Sequence, residues 1–204
     1  IDIQAVDPRP PQRVTEHQAH ALASQDRESL IAAMIEVARG ARRELCIMVR
    51  ELDNELFDRH ELLDAIRQLA NSGPHVQIRV LVREALRSQS DAIRLVDLGQ
   101  RLASVFAFRT PVEEIDRQYP GSFVVNDRGG WFERPLASRF EGEGSTYAPG
   151  RAAQLLASFS AIISRATATG IGSPACAQVR ACAAPPRWAS QRMMRRSGPR
   201  TCAR

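Results

Sequence analysis

The sequence predicts an α/β domain: a single mixed, mostly parallel sheet flanked by helices, followed by an irregular C-terminal tail. Three observations predict it. Short apolar runs at residues 45–49 and 76–82 are separated by a longer segment whose apolar residues recur at helical spacing. The connections between them are short, so strand, helix and strand form a right-handed parallel unit. From about Ser164 onward the acids vanish and no period survives.

Taken in order, residues 1–14 read as a linker, because Pro8, Pro10 and Pro11 favour extended backbone and donate no hydrogen bonds. The string Thr15-Glu16-His17-Gln18 fits a capping box. It opens a helix expected over 15–42, broken near Ser24, with Leu30, Ile31, Met34, Ile35 and Ala38 on one face. Residues 45–49 suit a buried strand. Asp58 and Glu61 form a second capping pair, starting a helix to about Asn71 with Leu62, Leu63, Ile66, Leu69 and Ala70 inward. Ser72-Gly73-Pro74 stops it, and residues 76–82 form the next strand. A third helix is expected over 89–103, a strand over 105–108, and a polar loop over 111–118. Strands at 122–126 and 130–133 flank the turn Asp127-Arg128-Gly129. Residues 141–150 are Gly-rich and polar. Pro149 opens a last helix, with Ala152, Leu155, Leu156, Phe159, Ile162 and Ile163 at helical spacing. The expected body is therefore 15–163, and the tail 164–204.

The formal charge of +5 is unevenly spread. Residues 1–163 hold all 23 acids and carry a net −3, whereas 164–204 hold eight arginines and no acid. Two readings of the tail stand: a basic disordered segment that binds nucleic acid, or out-of-frame translation of GC-rich DNA. Every basic residue is Arg, which excludes Schiff-base and lysine-base chemistry and a P-loop lysine. Cys46 lies in an apolar run and reads as core; Cys176, Cys182 and Cys202 lack C-x-x-C spacing, so neither zinc nor a disulfide framework is implied. His17 and His20 stand one helical turn apart without a thiol or carboxylate partner and read as a solvated face. No cofactor or metal is expected. No apolar run approaches the ~20 residues of a membrane span and no signal segment is visible, so a cytoplasmic location is expected. The first residue is Ile1 rather than Met, which suits a piece of a longer chain.

The order of elements resembles one half of a phospholipase D-like protein. The resemblance covers about residues 24–163 and is clearest over 45–82, LCIMVRELDNELFDRHELLDAIRQLANSGPHVQIRVLV. That family's signature is H-x-K, four residues, then D, with G-S or Asn downstream. Aligning its Asp on Asp127 puts Ser122 at the lysine and Pro120 at the nucleophilic histidine, with Ser138 and Arg139 near the downstream pair. Proline cannot attack phosphorus, and Ser122 has no evident base, so the resemblance implies a scaffold whose phosphodiester chemistry is lost. Tyr119-Pro120-Gly121 and the string Asn126-Asp127-Arg128-Gly129-Gly130 also resemble an uncharacterised bacterial phospholipase D-like domain often fused after a GNAT-type N-acetyltransferase. The chain has no acetyl-CoA-binding R/Q-x-x-G-x-G/A loop of its own.

Two classes of function follow. In the first, the chain is a non-catalytic module that positions a ligand or supports an associated acetyltransferase domain. Arg50, Asp53, Arg128, Arg134, Ser138 and Arg139 are then candidates to hold a phosphate-containing ligand or nucleic acid, since ligands gather at strand ends in open α/β sheets. In the second, it is a divergent phosphodiesterase or other hydrolase, using Asp53, Asp127 and Glu133 converging on one cleft. The lost histidine and lysine favour the first. A homodimer is a third option, because relatives pair two such halves across a shared site. The bland reading is that Asp127 caps a turn and pairs with Arg128 or Arg134, with Trp131 and Phe132 in the core.

Overall fold

Residues 44–49 and 77–82 are rich in branched apolar side chains, the pattern of strands buried on both faces. The computed structural model, which describes residues 19–84 and 93–168, puts them at the centre of one eight-stranded sheet. The strands are β1 (Ala21–Ser24), β2 (Glu44–Val49), β3 (Gln77–Val82), β4 (Phe106–Thr110), β5 (Ser122–Asn126), β6 (Trp131–Arg134), β7 (Gly142–Ser145) and β8 (Thr167–Ala168). The helices are α1 (Arg27–Gly40), α2 (Asn54–Phe57), α3 (His60–Ala70), α4 (Ile93–Arg101), α5 (Glu114–Arg117) and α6 (Pro149–Arg165).

The strand order is β1-β7-β6-β5-β2-β3-β4-β8. The mixed sheet flanked by helices is the architecture expected. Its parallel part is narrower: β2, β3 and β4 pair in parallel, and the other five pairings are antiparallel. The reason is connection length. Helices carry the chain back between β2, β3 and β4, whereas β5, β6 and β7 are joined by short turns that leave no room for a crossover.

Helices cover both faces. Leu45, Ile47 and Val49 of β2, with Ile78, Val80 and Val82 of β3, pack against α1, α3 and α4. Cys46, Met48, Leu81, Phe123 and Val125 point the other way, onto Ala152, Leu155, Phe159 and Ile162 of α6. Burial of these runs supplies the main driving force, at ~25 cal/mol per Å² of apolar surface.

Several expected elements differ. The helix expected over 15–42 begins only at Arg27, after a capping box in which Asp26 Oδ1 accepts from Ser29 N (2.8 Å) and Asp26 N donates to Ser29 Oγ (3.2 Å). Residues 21–24 are instead the edge strand β1, paired with β7. The proposed cap at 15–18 lies outside the described residues. The Gly-rich, polar stretch 141–150, to which the sequence assigned no element, contains β7, because Gly144 lets the strand approach β6 so closely that a Cβ there would meet Trp131 O at 2.3 Å. Asp58 and Glu61 do not form the cap. Asp53 caps α2 by accepting from Glu55 N (2.9 Å), α3 starts without a side-chain cap, and Asp58 accepts from Arg94 N (3.1 Å). The loop expected over 111–118 contains the short helix α5. The last helix runs to Arg165, and β8 then adds to β4. The rest of the tail, with Cys176, Cys182 and Cys202, lies outside the described residues. Among those described, no helix is long and apolar enough to cross a membrane.

Candidate functional site

The parallel strands β2 and β3 both end in the same tripeptide, Val49-Arg50-Glu51 and Val82-Arg83-Glu84. Val49 and Val82 are register partners, so Arg50 and Arg83 leave the sheet side by side at its carboxyl rim. On the other side of β2, Met48 faces Phe123, which brings Ser122 to the same rim, and Ser122 is paired with Arg134 of β6. Three candidates, Arg50, Ser122 and Arg134, thus meet Arg83 because two parallel strands end where an antiparallel hairpin begins and closes.

Arg134 is 8 % exposed and makes no ion pair among the described residues. Its Nε donates to Ser122 Oγ (3.0 Å) and its Nη1 to the Arg139 carbonyl (3.2 Å). Burial pushes the guanidinium pKa down to about 10; nearby Asp53 opposes the shift and Arg50 adds to it. Arg83, equally buried, donates to the carbonyls of Arg117 (3.3 Å), Tyr119 and Gly121 (3.0 Å), and so ties down the loop before β5. Burial lowers its pKa too, with Arg50 contributing. Arg50 bridges Glu51 (2.7 Å) and Glu84 (3.8 Å), and the Glu51 hydrogen bond is the main cause of its raised pKa. Pro120 is exposed, and its carbonyl accepts from Ala137 N (2.9 Å). Ser138 and Arg139 are exposed in the loop after β6, and Arg139 contributes only its carbonyl to the rim.

Asp127 and Arg128 are elsewhere. β5 separates Ser122 from Asp127 by five residues, roughly 16 Å of extended chain, so they stand at opposite rims. Arg134 is therefore not the partner of Asp127. The carboxylate instead clasps two backbone amides ahead of β2: Oδ1 accepts from Arg42 N (2.8 Å) and Oδ2 from Arg43 N (3.1 Å). Asn126, which the sequence did not single out, is the hub of this turn. Its Nδ2 donates to Val37 O (2.7 Å), and its Oδ1 accepts from Arg128 N (2.9 Å) and Gly130 N (2.8 Å).

Glu133 lies on the α6 side of the sheet, held by Tyr119 Oη (3.1 Å) and Arg151 Nη2 (2.5 Å). Asp53, Asp127 and Glu133 thus have three separate sets of partners and do not converge on one cleft. Trp131 is only half-buried, with Arg151 over its ring at 5.7 Å, whereas Phe132 is core. Arg83 was missed as well, although the repeated Val-Arg-Glu ending of two strands was a visible signal.

Residues 26–169 match the family described as "Domain of unknown function (DUF7931)". Among curated proteins none matches. Three solved structures share the fold. Nuc from Salmonella typhimurium, a phospholipase D family member, has 10% identity and a TM-score of 0.55, covering 74% of this chain and 98% of its own. Phosphatidylserine synthase from Haemophilus influenzae Rd KW20 has 13% identity and a TM-score of 0.54, covering 81% of this chain and 42% of its own. TrmBL2, an archaeal chromatin protein, has 15% identity and a TM-score of 0.53, covering 80% of this chain and 57% of its own. The fold is therefore phospholipase D-like.

Proposed function

We propose a function from one premise: this chain belongs to the DUF7931 family, and its fold is that of phospholipase D-like proteins. On that premise it is a non-catalytic phospholipase D-like module, an accessory or ligand-positioning domain for a GNAT-type acetyltransferase. The observation that supports this is the pairing of Ser122 with Arg134. At the position the resemblance gives to lysine, a buried hydroxyl accepts from a guanidinium, and the residue at the histidine position is an exposed proline. The described histidines belong to other elements: His20 precedes β1, His60 opens α3 and His75 precedes β3. Among the described residues, the hydrogen bond given to the Ser122 hydroxyl comes from the Arg134 guanidinium, a donor that cannot act as a base. The test is hydrolysis of bis(p-nitrophenyl) phosphate and single-stranded DNA by the purified chain. The expected rate is that of buffer; turnover abolished by Ser122→Ala would refute the reading. The acetyltransferase link is tested by sequencing the DNA on the 5′ side of the Ile1 codon, where an in-frame acetyltransferase domain is expected.

A second reading is favoured by one observation. Arg83 and Arg134 are buried cations whose hydrogen bonds go to carbonyls and a hydroxyl rather than to carboxylates, an arrangement suited to a phosphate-containing ligand at the carboxyl rim. Inorganic phosphate should then raise the melting temperature of the wild type by more than that of Arg134→Met. Self-association at the same rim, where Ile115 of α5 and Leu136 in the loop after β6 are exposed, would appear as a dimer in sedimentation equilibrium.

A further inference from the structure

The opposite rim carries a different assembly of charge. Asp127 spends both carboxylate oxygens on the backbone amides of Arg42 and Arg43, which pins two consecutive residues beside its own turn. The side chains of those residues are exposed, and neither makes an ion pair among the described residues. Their neighbours behave otherwise: Arg39 pairs with Glu36 (3.7 Å) and Arg67 with Asp64. With Arg128, they line a cleft of about 570 Å³ whose remaining walls are Ser72 and Asp127. That volume falls within the range of small-molecule sites. A second cleft of about 450 Å³ continues past Asp127 and Arg128 onto Tyr147, Pro149 and Leu156, a polar entrance leading to an aromatic and apolar ledge.

We propose that this amino-rim cleft binds a phosphate ester, with the phosphate on Arg42, Arg43 and Arg128 and the organic part on the ledge at Tyr147. Three arginines line one cleft and give it an excess of positive charge, which suits a doubly charged oxyanion able to accept bidentate hydrogen bonds from planar guanidinium forks. The Asp127 clasp makes the arrangement specific, because it sets the backbone from which two of the three side chains project. A free nucleotide and the backbone of a nucleic-acid strand offer the same chemistry here. The site is independent of the carboxyl rim, so its fate does not follow from that of the module reading above.

The test is binding to the full chain, by calorimetry for inorganic phosphate and adenosine 5′-monophosphate and by fluorescence anisotropy for a labelled oligothymidylate. The double variant Arg42→Ser/Arg43→Ser keeps both backbone amides, so the clasp survives, and circular dichroism and melting temperature check the fold. Arg101→Ser, an exposed arginine on α4 outside the cleft, is the control for net charge. The expected result is a loss of about tenfold or more in affinity for the double variant and a salt slope smaller by about 1.4 with the single-stranded oligonucleotide, with Arg101→Ser like the wild type. Mononucleotide binding as tight as that of the strand assigns a free ester; tighter, salt-dependent strand binding assigns nucleic acid; either supports the site. The proposal is overturned if none of the three probes binds, if the double variant and Arg101→Ser weaken binding equally, or if only Arg134→Met abolishes it. A drop in melting temperature without any change in binding also overturns it, since the arginines would then serve only the nearby carboxyl ends of α1 and α3.

Discussion

Replacing Asn126 by alanine removes the hub of the turn between β5 and β6. The side chain is 1 % exposed and makes three hydrogen bonds, one donated to Val37 O in α1 and two accepted from Arg128 N and Gly130 N. Each is worth about 0.5–1.5 kcal/mol net, and the partners left behind at Val37 and Gly130 are buried, so the upper half of that range applies. The expected loss is about 3 kcal/mol, a large share of the stability of an ordinary domain. Urea unfolding with an unchanged m-value reads it directly. Asn126→Asp serves as a companion: it keeps both acceptor bonds, loses the donor to Val37, and buries a charge, so its deficit should shrink as pH falls and the carboxyl protonates. A loss below about 1 kcal/mol for Asn126→Ala would refute the reasoning, because three buried bonds cannot vanish so cheaply unless water or a neighbour already satisfies those groups.

Asp127→Ala should lower stability by about 2 kcal/mol, less than its two charge-assisted bonds suggest because the carboxylate is exposed, and Asp127→Asn should lose about half of that in the same assay. Arg83→Met should cost about 2 kcal/mol and speed proteolysis of the loop before β5, since the carbonyls of Arg117, Tyr119 and Gly121 lose their shared donor. Cys46 is fully buried, and burial, with Asp127 adding to it, pushes its thiol from 9.0 up to about 12. Its contribution is thus complete below pH 9 and lost as pH rises towards 12, where the unfolded thiol ionises and the folded one does not. Cys46→Ala should flatten the fall in melting temperature between pH 8.5 and 10, a window set by the unfolded thiol at ~9.

Much of the scaffold was legible in the chain. The runs at 45–49 and 76–82 and the helical stripe from Ala152 to Ile163 are long enough, and apolar enough, to be driven by burial alone. What escaped depended on partners distant in sequence. Residues 21–24 became a strand because β7 offered an edge more than 100 residues away, and β7 formed because its glycines tolerate the approach of β6. The parallel character was overestimated because short turns do not announce which neighbours they join.

The candidate site divides in the same way. Local sequence determined which chemistry is available: arginines without lysine, a proline and a serine where the resemblance implies histidine and lysine, and a tight turn holding Asp127. Only the tertiary structure decided which of these residues meet. β5 runs antiparallel to β2, so residues five apart in sequence reach opposite rims, while Arg50, Arg83 and Arg134 from three separate strands reach the same one. Adjacency in sequence sets distance along a strand, but strand order and direction, settled by burial on both faces of the sheet, set which side chains share a rim.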